Sequence, residues 1–579
     1  ARLGPISSRY EHFLEWKDVY PKNIENFKNN TSQEILIEGV FNHKNFLDII
    51  RNFTIFEVVE GKTIKKIPRY QQYRAVHKTV EKISKGKNKK EKGGVIWHTQ
   101  GSGKSLTMVF LAQVFRRNEE LKKYKLLYIT DRTQLDSQLT TTFQNTQDET
   151  VLQADSAKDL RELISKDSSD LITSTIQKFQ EIRGENLKVL NESENIVVLI
   201  DEAHRTQYGT FGMVLNTVLP NAAKIAFTGT PLLKSELTTG EFGDYIDKYT
   251  IEQSVEDGAT LQILYEGREV KTKVEGESLD NLFEEYFSDK TKEEKNEIKR
   301  KYGIEKAVLE APKRIRWVCL DIIKHYREKI QPNGFKAMIV TSSRHAAVMY
   351  KNMLDELNAP NSNVIISGDH NDPEELRKYT DSTEHKKIIK DFKENDLSES
   401  KCHIIIVKDM LLTGFDVPIC QVMYLDRKIM DHSLLQAIAR VNRPKEGKQR
   451  GFVVDYYGLA SYLTSALDQF TQGDVKGVLK ELKDEIPKLD RAYNKVLEFF
   501  KDRDLEDLEE CILVLEKEDV RQQFELSFRK FAKLMDIVLP DPYANRYLRD
   551  LKLLGKIVHG ARNTYRDEQL NIIDVGEKV

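Results

Sequence analysis

Short apolar, β-branched runs recur along this chain between longer helical stretches, and that alternation leaves few folds open to it. A strand that is apolar almost throughout needs both of its faces covered, which is the condition of a parallel sheet with helices packed on each side. Leu126–Thr130, Ile196–Ile200, Ala223–Phe227, Ala337–Thr341, Val364–Ser367 and His403–Val407 are the clearest such runs. With 579 residues the chain exceeds what one hydrophobic core organises, roughly 250–300 residues, so at least three folded units are expected.

The breaks in the pattern place those units. Lys85–Lys92 (KGKNKKEK) reads as an exposed loop, and the charge-rich stretch Glu266–Lys306 marks a junction between two α/β domains. From about Leu459 strand signals vanish and helical periodicity takes over, as in Val475–Ile486 and Leu505–Leu515. The expected division is an N-terminal segment (1–65), a first α/β domain (66–265), a linker (266–310), a second α/β domain (311–458) and a helical domain (459–579). No internal repeat of 20–50 residues is visible.

Composition excludes more than it assigns. Lys and Arg (90) nearly balance Asp and Glu (92), so no global positive field holds a polyanion, and a grip on nucleic acid has to come from local clusters and backbone amides. No apolar run approaches the ~18–20 residues of a membrane span and no signal-peptide pattern opens the chain, so a cytoplasmic location without membrane contact is expected. Cys319, Cys402, Cys420 and Cys511 have no paired spacing and read as reduced packing residues. The sequence starts at Ala1 without an initiator Met, as expected of a piece of something longer.

The chemistry begins at Gly93–Leu111, GGVIWHTQGSGKSLTMVFL, an apolar strand, a Gly-rich turn and an apolar helix. This is the context of a P-loop, in which backbone N–H groups at Gly101, Ser102 and Gly103 converge on phosphates beneath the positive end of a helix. Lys104 is expected at the β- and γ-phosphates, Ser105 on Mg²⁺ and Thr99 in the same cradle. His98 stands where the strict GxxxxGKS pattern has its first Gly, a departure that leaves the GSGKS core intact. Further on, the strand Asn195–Ile200 ends in Asp201-Glu202-Ala203-His204. A carboxylate at that end of a strand suits Asp201 to hold Mg²⁺ and Glu202 to polarise the water that attacks the γ-phosphate of ATP.

GSGKS followed by DEAH resembles the superfamily 2 helicases and translocases, and the resemblance implies two tandem RecA-like parallel-sheet domains followed here by a helical C-terminal domain. Further motifs then stand in the family's order. Arg69-Tyr70-Gln71-Gln72 resembles a Q-motif, implying that Gln72 reads the adenine edge with Arg69 near the base. Leu127–Arg132 resembles motif Ia, with Asp131 and Arg132 at the nucleic-acid backbone, and Thr173-Ser174-Thr175 resembles the next backbone-binding segment. Phe227–Pro231 resembles motif III, with contacts at Thr228 and Thr230, and Lys336–Ser343 resembles motif IV, with Thr341. Val407–Pro418 resembles motif V, placing Thr413 and Gly414 at nucleic acid and Asp416 at the ribose. Gln436–Arg443 resembles motif VI, with Ala439 in place of the usual Gly. Arg440 and Arg443, three apart on one helical face, are expected to point across the cleft at the γ-phosphate.

The wording GGVIWHTQGSGKSLTM, DEAHRTQYG, AFTGTPLL and LLTGFDVP with QAIARVNRP resembles the R subunits of type I restriction enzymes over roughly Ile35–Tyr456. That implies an ATP- and Mg²⁺-dependent translocase of double-stranded DNA working with methyltransferase and specificity subunits. In that family a nuclease domain normally precedes the motor, with a metal-binding Asp and Glu-x-Lys pattern that only Asp48 with Glu60-Gly61-Lys62 matches in spacing. Glu15-Trp16-Lys17 has no Asp before it, and Asp48 with Glu60-Gly61-Lys62 has its Asp in an apparently helical stretch. The cutting residues are therefore expected outside this chain. A strand-separating helicase and a nucleotide-gated DNA-binding switch are the competing readings; intact Glu202, Arg440 and Arg443 speak against the switch.

Overall fold

Two parallel sheets of seven strands each organise the molecule. The computed structural model describes residues 1–6, 8, 13–27, 29–59, 62–130, 151–182, 187–201, 208–229, 242–268, 279–302, 304–369, 371–412, 415–429, 431–458, 480–501, 503–538 and 542–565. At the N-terminus a short hairpin of β1 (Arg2–Leu3) and β2 (Leu14–Glu15) precedes helix α1 (His43–Asn52) and a second hairpin, β3 (Ile55–Val59) with β4 (Lys62–Lys66). This segment packs onto the first lobe. Phe53 lies between Tyr73 and Phe110, with ring centroids 4.8 and 5.5 Å away.

Helix α2 (Tyr70–Lys85) leads into β5 (Gly94–His98), α3 (Lys104–Arg117), β6 (Lys125–Thr130), β7 (Val151–Gln153), β8 (Leu171–Thr175), β9 (Ile196–Asp201), β10 (Ala223–Thr228) and β11 (Tyr245–Tyr249). The strands pair in the order β11-β5-β10-β9-β6-β8-β7, parallel at every step. Every residue of β5, β6, β8 and β10 is buried. Alternate side chains feed opposite faces: Ile96, Leu126 and Tyr128 join a core with α2 and α3, while Val95, Leu127 and Ile129 join one with the helices across the sheet. Because Thr107–Phe115 of α3 is buried throughout, the helix is held against the sheet with its N-terminus at the C-terminal edge of β5.

The chain then passes through α4 (Ile251–Glu256) and β12 (Gln262–Gly267) to α5 (Pro312–His325), β13 (Lys336–Thr341), α6 (Arg344–Glu356), β14 (Ser362–Ile365), β15 (Ile404–Val407), β16 (Cys420–Asp426), α7 (Asp431–Ile438), β17 (Arg450–Asp455) and β18 (Lys480–Glu481). The second sheet runs β14-β15-β13-β16-β17-β12-β18, again parallel. All six strands expected from the sequence are present, with ends displaced by at most two residues. The first domain was expected to run to residue 265, but β12 belongs to the second sheet, where Leu264 and Tyr265 pair with Phe452 and Val453. Likewise β18 lies within the stretch expected to be helical. A short apolar run does not specify its sheet; the partner strand does. Helices α8 (Leu482–Leu497), α9 (Leu508–Val514), α10 (Glu518–Val538) and α11 (Leu548–Thr564) pack around a separate core of Leu489, Phe524, Phe531, Met535 and Leu554.

One buried ion pair ties the second lobe. Arg314 of α5 donates to Asp426 at the end of β16 through Nη2 (2.6 Å) and Nη1 (2.8 Å), and the Tyr350 hydroxyl donates to the same carboxylate at 2.6 Å. Arg314→Met strands Asp426 without its guanidinium, and the expected loss is ~3–5 kcal/mol. It should appear as a lowered midpoint of the second-lobe transition in urea; a loss below ~1 kcal/mol would contradict the pairing.

Candidate nucleotide site between the lobes

Parallel pairing brings distant residues to one edge. In register, Thr228 of β10 stands beside Trp97 of β5, and Phe227 beside Asp201 of β9. His98, Thr228 and Asp201 therefore emerge together at the C-terminal ends of the strands, where sheets of this kind hold ligands. The loop after β5 turns at Gly101 (φ +91°) and Gly103 (φ +89°), a conformation that a side chain resists. A Cβ at Gly103 would also stand 2.5 Å from Gln72 Nε2. Ser102 closes the turn by donating to the Thr99 carbonyl from both its N–H (3.2 Å) and its hydroxyl (2.6 Å). Lys104 Nζ donates to the His98 carbonyl at 3.2 Å, spanning the hollow of the loop, and Ser105 is exposed at the start of α3.

The departure at His98 has a structural role. Its ring is fully buried, and Nε2 lies 2.9 Å from Asp247 Oδ2 on the neighbouring strand β11. Asp247 also accepts from Arg74 Nε (2.7 Å) and Lys78 Nζ (2.9 Å) of α2. Burial alone would raise the Asp247 pKa, but the hydrogen bond from His98 and the charge of Arg74 outweigh it and hold the carboxyl well below its usual range. For His98 burial dominates and keeps the ring neutral. The base of the loop is thus cross-tied to β11 and α2.

The second lobe closes on this loop. The helix α7 stops at Ile438, so Arg440 and Arg443 follow it in a turn and irregular backbone and do not share the helical face expected for them. Arg440 is buried and donates through Nε to the Gln436 carbonyl (3.1 Å), through Nη1 to the Phe415 carbonyl (2.6 Å) and through Nη2 to the side-chain oxygen of Gln100 in the first lobe. Arg443 comes so close to the loop that a Cβ at Gly101 would meet its Nη1 at 2.6 Å. Its Nε is 3.4 Å from the exposed carboxylate of Asp416. The two arginines therefore meet the same loop as Lys104.

A cavity of about 230 Å³ adjoins the loop, lined by Arg69, Tyr70, Gln72, Gly103 and Tyr249 with Leu14 and Glu15 of the N-terminal segment. Gln72 bridges two elements: its Oε1 accepts the Arg69 N–H (2.8 Å) and its Nε2 donates to the Gly103 carbonyl (3.0 Å). Arg69 is held below its ordinary pKa first by burial, and its Nη1 has no hydrogen-bond partner among the described residues. Sequence reasoning missed Gln100 and Asp247. Gln100 lies inside the recognised loop, but its partner is 340 positions away.

The expected nucleic-acid contacts divide. Thr173 in the middle of β8 and Ser174, Thr175, Thr228 and Thr341 toward strand ends are buried, and the Thr341 hydroxyl is engaged with the carbonyls of Ser343 and Val407. Asp131, Arg132, Glu202, Thr230, Thr413 and Gly414 lie outside the described residues. Asp48 is on helix α1, where it accepts from Asn52 and pairs with His77 Nε2 at 2.8 Å, and Glu60 lies outside the described residues. Among the described residues no helix is long and apolar enough to cross a membrane. The four cysteines are buried and unpaired by disulfides, and burial pushes the thiols of Cys402 and Cys420 up to about 12.

Comparison with known proteins agrees with this geometry. Residues 71–296 match the SWI2/SNF2 ATPase family model, and residues 369–458 match the model of type I restriction enzyme subunit R domain 3. The fold and these matches define an ATP-hydrolysing enzyme, with the SWI2/SNF2 likeness carried by residues 71–296. The chain is 33% identical to the putative type I restriction enzyme MjaIXP endonuclease subunit of Methanocaldococcus jannaschii, across 97% of this chain and 55% of that protein. It is 35% identical to the type I restriction enzyme HindI endonuclease subunit of Haemophilus influenzae, across 83% and 48%. A solved ATP-dependent Type ISP restriction-modification enzyme, LlaBIII bound to DNA, shares the fold at a TM-score of 0.51 and 14% identity, covering 88% of this chain and 41% of that one. The chain is a relative of the endonuclease (R) subunits of type I restriction enzymes, and it spans about half the length of the curated relatives it matches.

The cross-tie at the loop base makes a checkable statement about stability. Asp247→Asn removes the charge facing Arg74 and Lys78 and is expected to cost ~3 kcal/mol at pH 7. Since the folded carboxyl titrates below its unfolded value of ~3.9, this contribution is present above about pH 4 and is lost as the pH falls further. Denaturation of both proteins between pH 3 and 7 should show their gap narrowing on the acid side; a gap that widens there would refute the assignment.

Proposed function

We propose that this chain is an ATP-driven motor on double-stranded DNA, the motor part of a type I restriction endonuclease R subunit. It moves DNA before a separate nuclease domain cuts, in a complex with methyltransferase and specificity subunits. The observation that supports this most directly is the convergence of Arg440 and Arg443 on the loop that carries Lys104. A pure nucleotide switch has no need of arginines brought from a second lobe onto a phosphate loop.

In this reading the triphosphate lies along the N-terminus of α3, and its base enters the cavity beside Arg69 and Gln72. Lys104 leaves the His98 carbonyl for the β- and γ-phosphates. Hard oxygen donors at Ser105 and Asp201 suit Mg²⁺, which when bound neutralises charge on the phosphoryl oxygens. Glu202 orients the attacking water. Arg443 stabilises the charge that develops in the transition state, while Arg440, already committed to Gln100 and the Phe415 carbonyl, holds the lobes in register. Opening and closing of the cleft moves the DNA-facing sides of the two lobes relative to one another. With Thr173, Ser174, Thr175, Thr228 and Thr341 buried, the DNA backbone is met chiefly by Asp131, Arg132, Thr230, Thr413 and Gly414.

Linear duplex DNA should stimulate ATP turnover, and Lys104→Ala or Glu202→Gln should abolish turnover and movement together. Arg443→Ala should lower turnover by ~10³ while nucleotide still binds. ATP should drive displacement of a triplex-forming strand without separating the duplex. Turnover indifferent to DNA would defeat the motor reading, and efficient strand separation would replace it with a helicase.

A further inference from the structure

Asp257, just after α4, is a nearly buried carboxylate. Its Oδ2 accepts from the hydroxyls of Tyr70 (2.7 Å) and Tyr249 (2.8 Å), and its Oδ1 pairs with Lys17 Nζ at 2.5 Å. One side chain thus joins the first residue of α2, the end of β11 and the N-terminal segment. Two of these neighbours, Tyr70 and Tyr249, line the cavity beside the phosphate loop together with Asp257 itself, and Lys17 directly follows Trp16, which also lines it. Burial, and then the charge of Asp257, pushes both phenols well above their ordinary range, so both remain donors.

The chain leaves Asp257 directly for the second lobe. Gly258 turns with φ +69°, and Ala259 and Thr260 donate their N–H groups back to the Ser254 carbonyl at 2.9 and 3.1 Å. Leu261 then donates its N–H to the carbonyl of Asn442 at 2.7 Å, one residue before Arg443. The methyl of Thr260 would lie 3.1 Å from a Cβ at Gly101, on the same side as Arg443. A strap four residues long therefore has one end on a wall of the cavity and the other on the backbone that presents Arg443.

We propose that Asp257 is a positioning residue of the ATPase cycle, anchoring this strap to the cavity wall so that nucleotide in the cavity determines where Arg443 stands. The role presupposes that the cleft hydrolyses ATP as described above. Lys17 brings the N-terminal segment into the same linkage. That segment then influences turnover without touching the phosphates.

Steady-state hydrolysis with saturating duplex DNA, combined with a fluorescent donor and acceptor on the two lobes, tests this. Asp257→Asn is expected to lower kcat about tenfold, the worth of one charge-assisted hydrogen bond, with KM for ATP changed less than about threefold and less closure at saturating ATP. Lys17→Met, which keeps both tyrosine bonds, should lower the same kcat by a smaller factor. If Asp257→Asn does not fold, Tyr249→Phe carries the test, because it keeps the carboxylate and fills the same space. A raised KM with unchanged kcat would make Asp257 a wall of the base pocket and nothing more, overturning the proposal, as would kcat and closure that match the parent protein. A parent protein that hydrolyses no ATP would bring down the reading of the cleft itself.

Discussion

The structure turns on a contact between two surfaces that have no sequence proximity: the phosphate loop after β5 and the end of α7 with the residues that follow it. Arg440 is buried there, and a buried guanidinium is tolerable only when its donors are met. The carbonyls of Gln436 and Phe415 meet part of that need within the second lobe, and Gln100 of the first lobe meets another part. Separating the lobes takes away an acceptor from a charged group. Closure is thus favoured by hydrogen bonding at the place where the triphosphate would lie.

Everything that makes this contact possible follows from parallel pairing. A parallel sheet sends all its strands out on one edge, so residues separated by long crossovers meet without special loops. The flanking helices fix the orientation. Thr107–Phe115 presses α3 to the sheet, and the tie from Asp247 to His98, Arg74 and Lys78 binds β5, β11 and α2 together at the foot of the loop. Where the usual pattern has a glycine, this chain has a buried histidine, because that position ends a strand and precedes the turn.

Much of this was legible in the sequence. The six apolar runs are strands because their composition demands cover on both faces, and GSGKS lies between strand and helix as its spacing requires. β11 was not legible: YIDKY carries two charged residues, and Asp247 becomes explicable only beside His98, Arg74 and Lys78. Nor was the allegiance of β12, whose apolar centre would suit either sheet. The N-terminal segment looked like an approach to the motor, yet Trp16, Val40 and Phe53 share a core with Tyr73 and Phe110, a fact that depends on tertiary packing alone. The bridge that the Gln72 amide makes from Arg69 to Gly103 was not legible either, since a side chain with both a donor and an acceptor can serve two backbones at once and only the fold brings them within reach.

The position of β12 has an implication for how the protein is made. It lies between β17 and β18, inside the second sheet, although it precedes every other strand of that sheet in the chain. During synthesis the first lobe can collapse as soon as β11 has emerged, but β12 must wait, unpaired, until β17 leaves the ribosome. Non-local pairing of this kind is slow, and an apolar strand left waiting is exposed to wrong partners. The short tether from Asp257 keeps β12 next to the first lobe during that interval, because only Gly258–Leu261 separate the two.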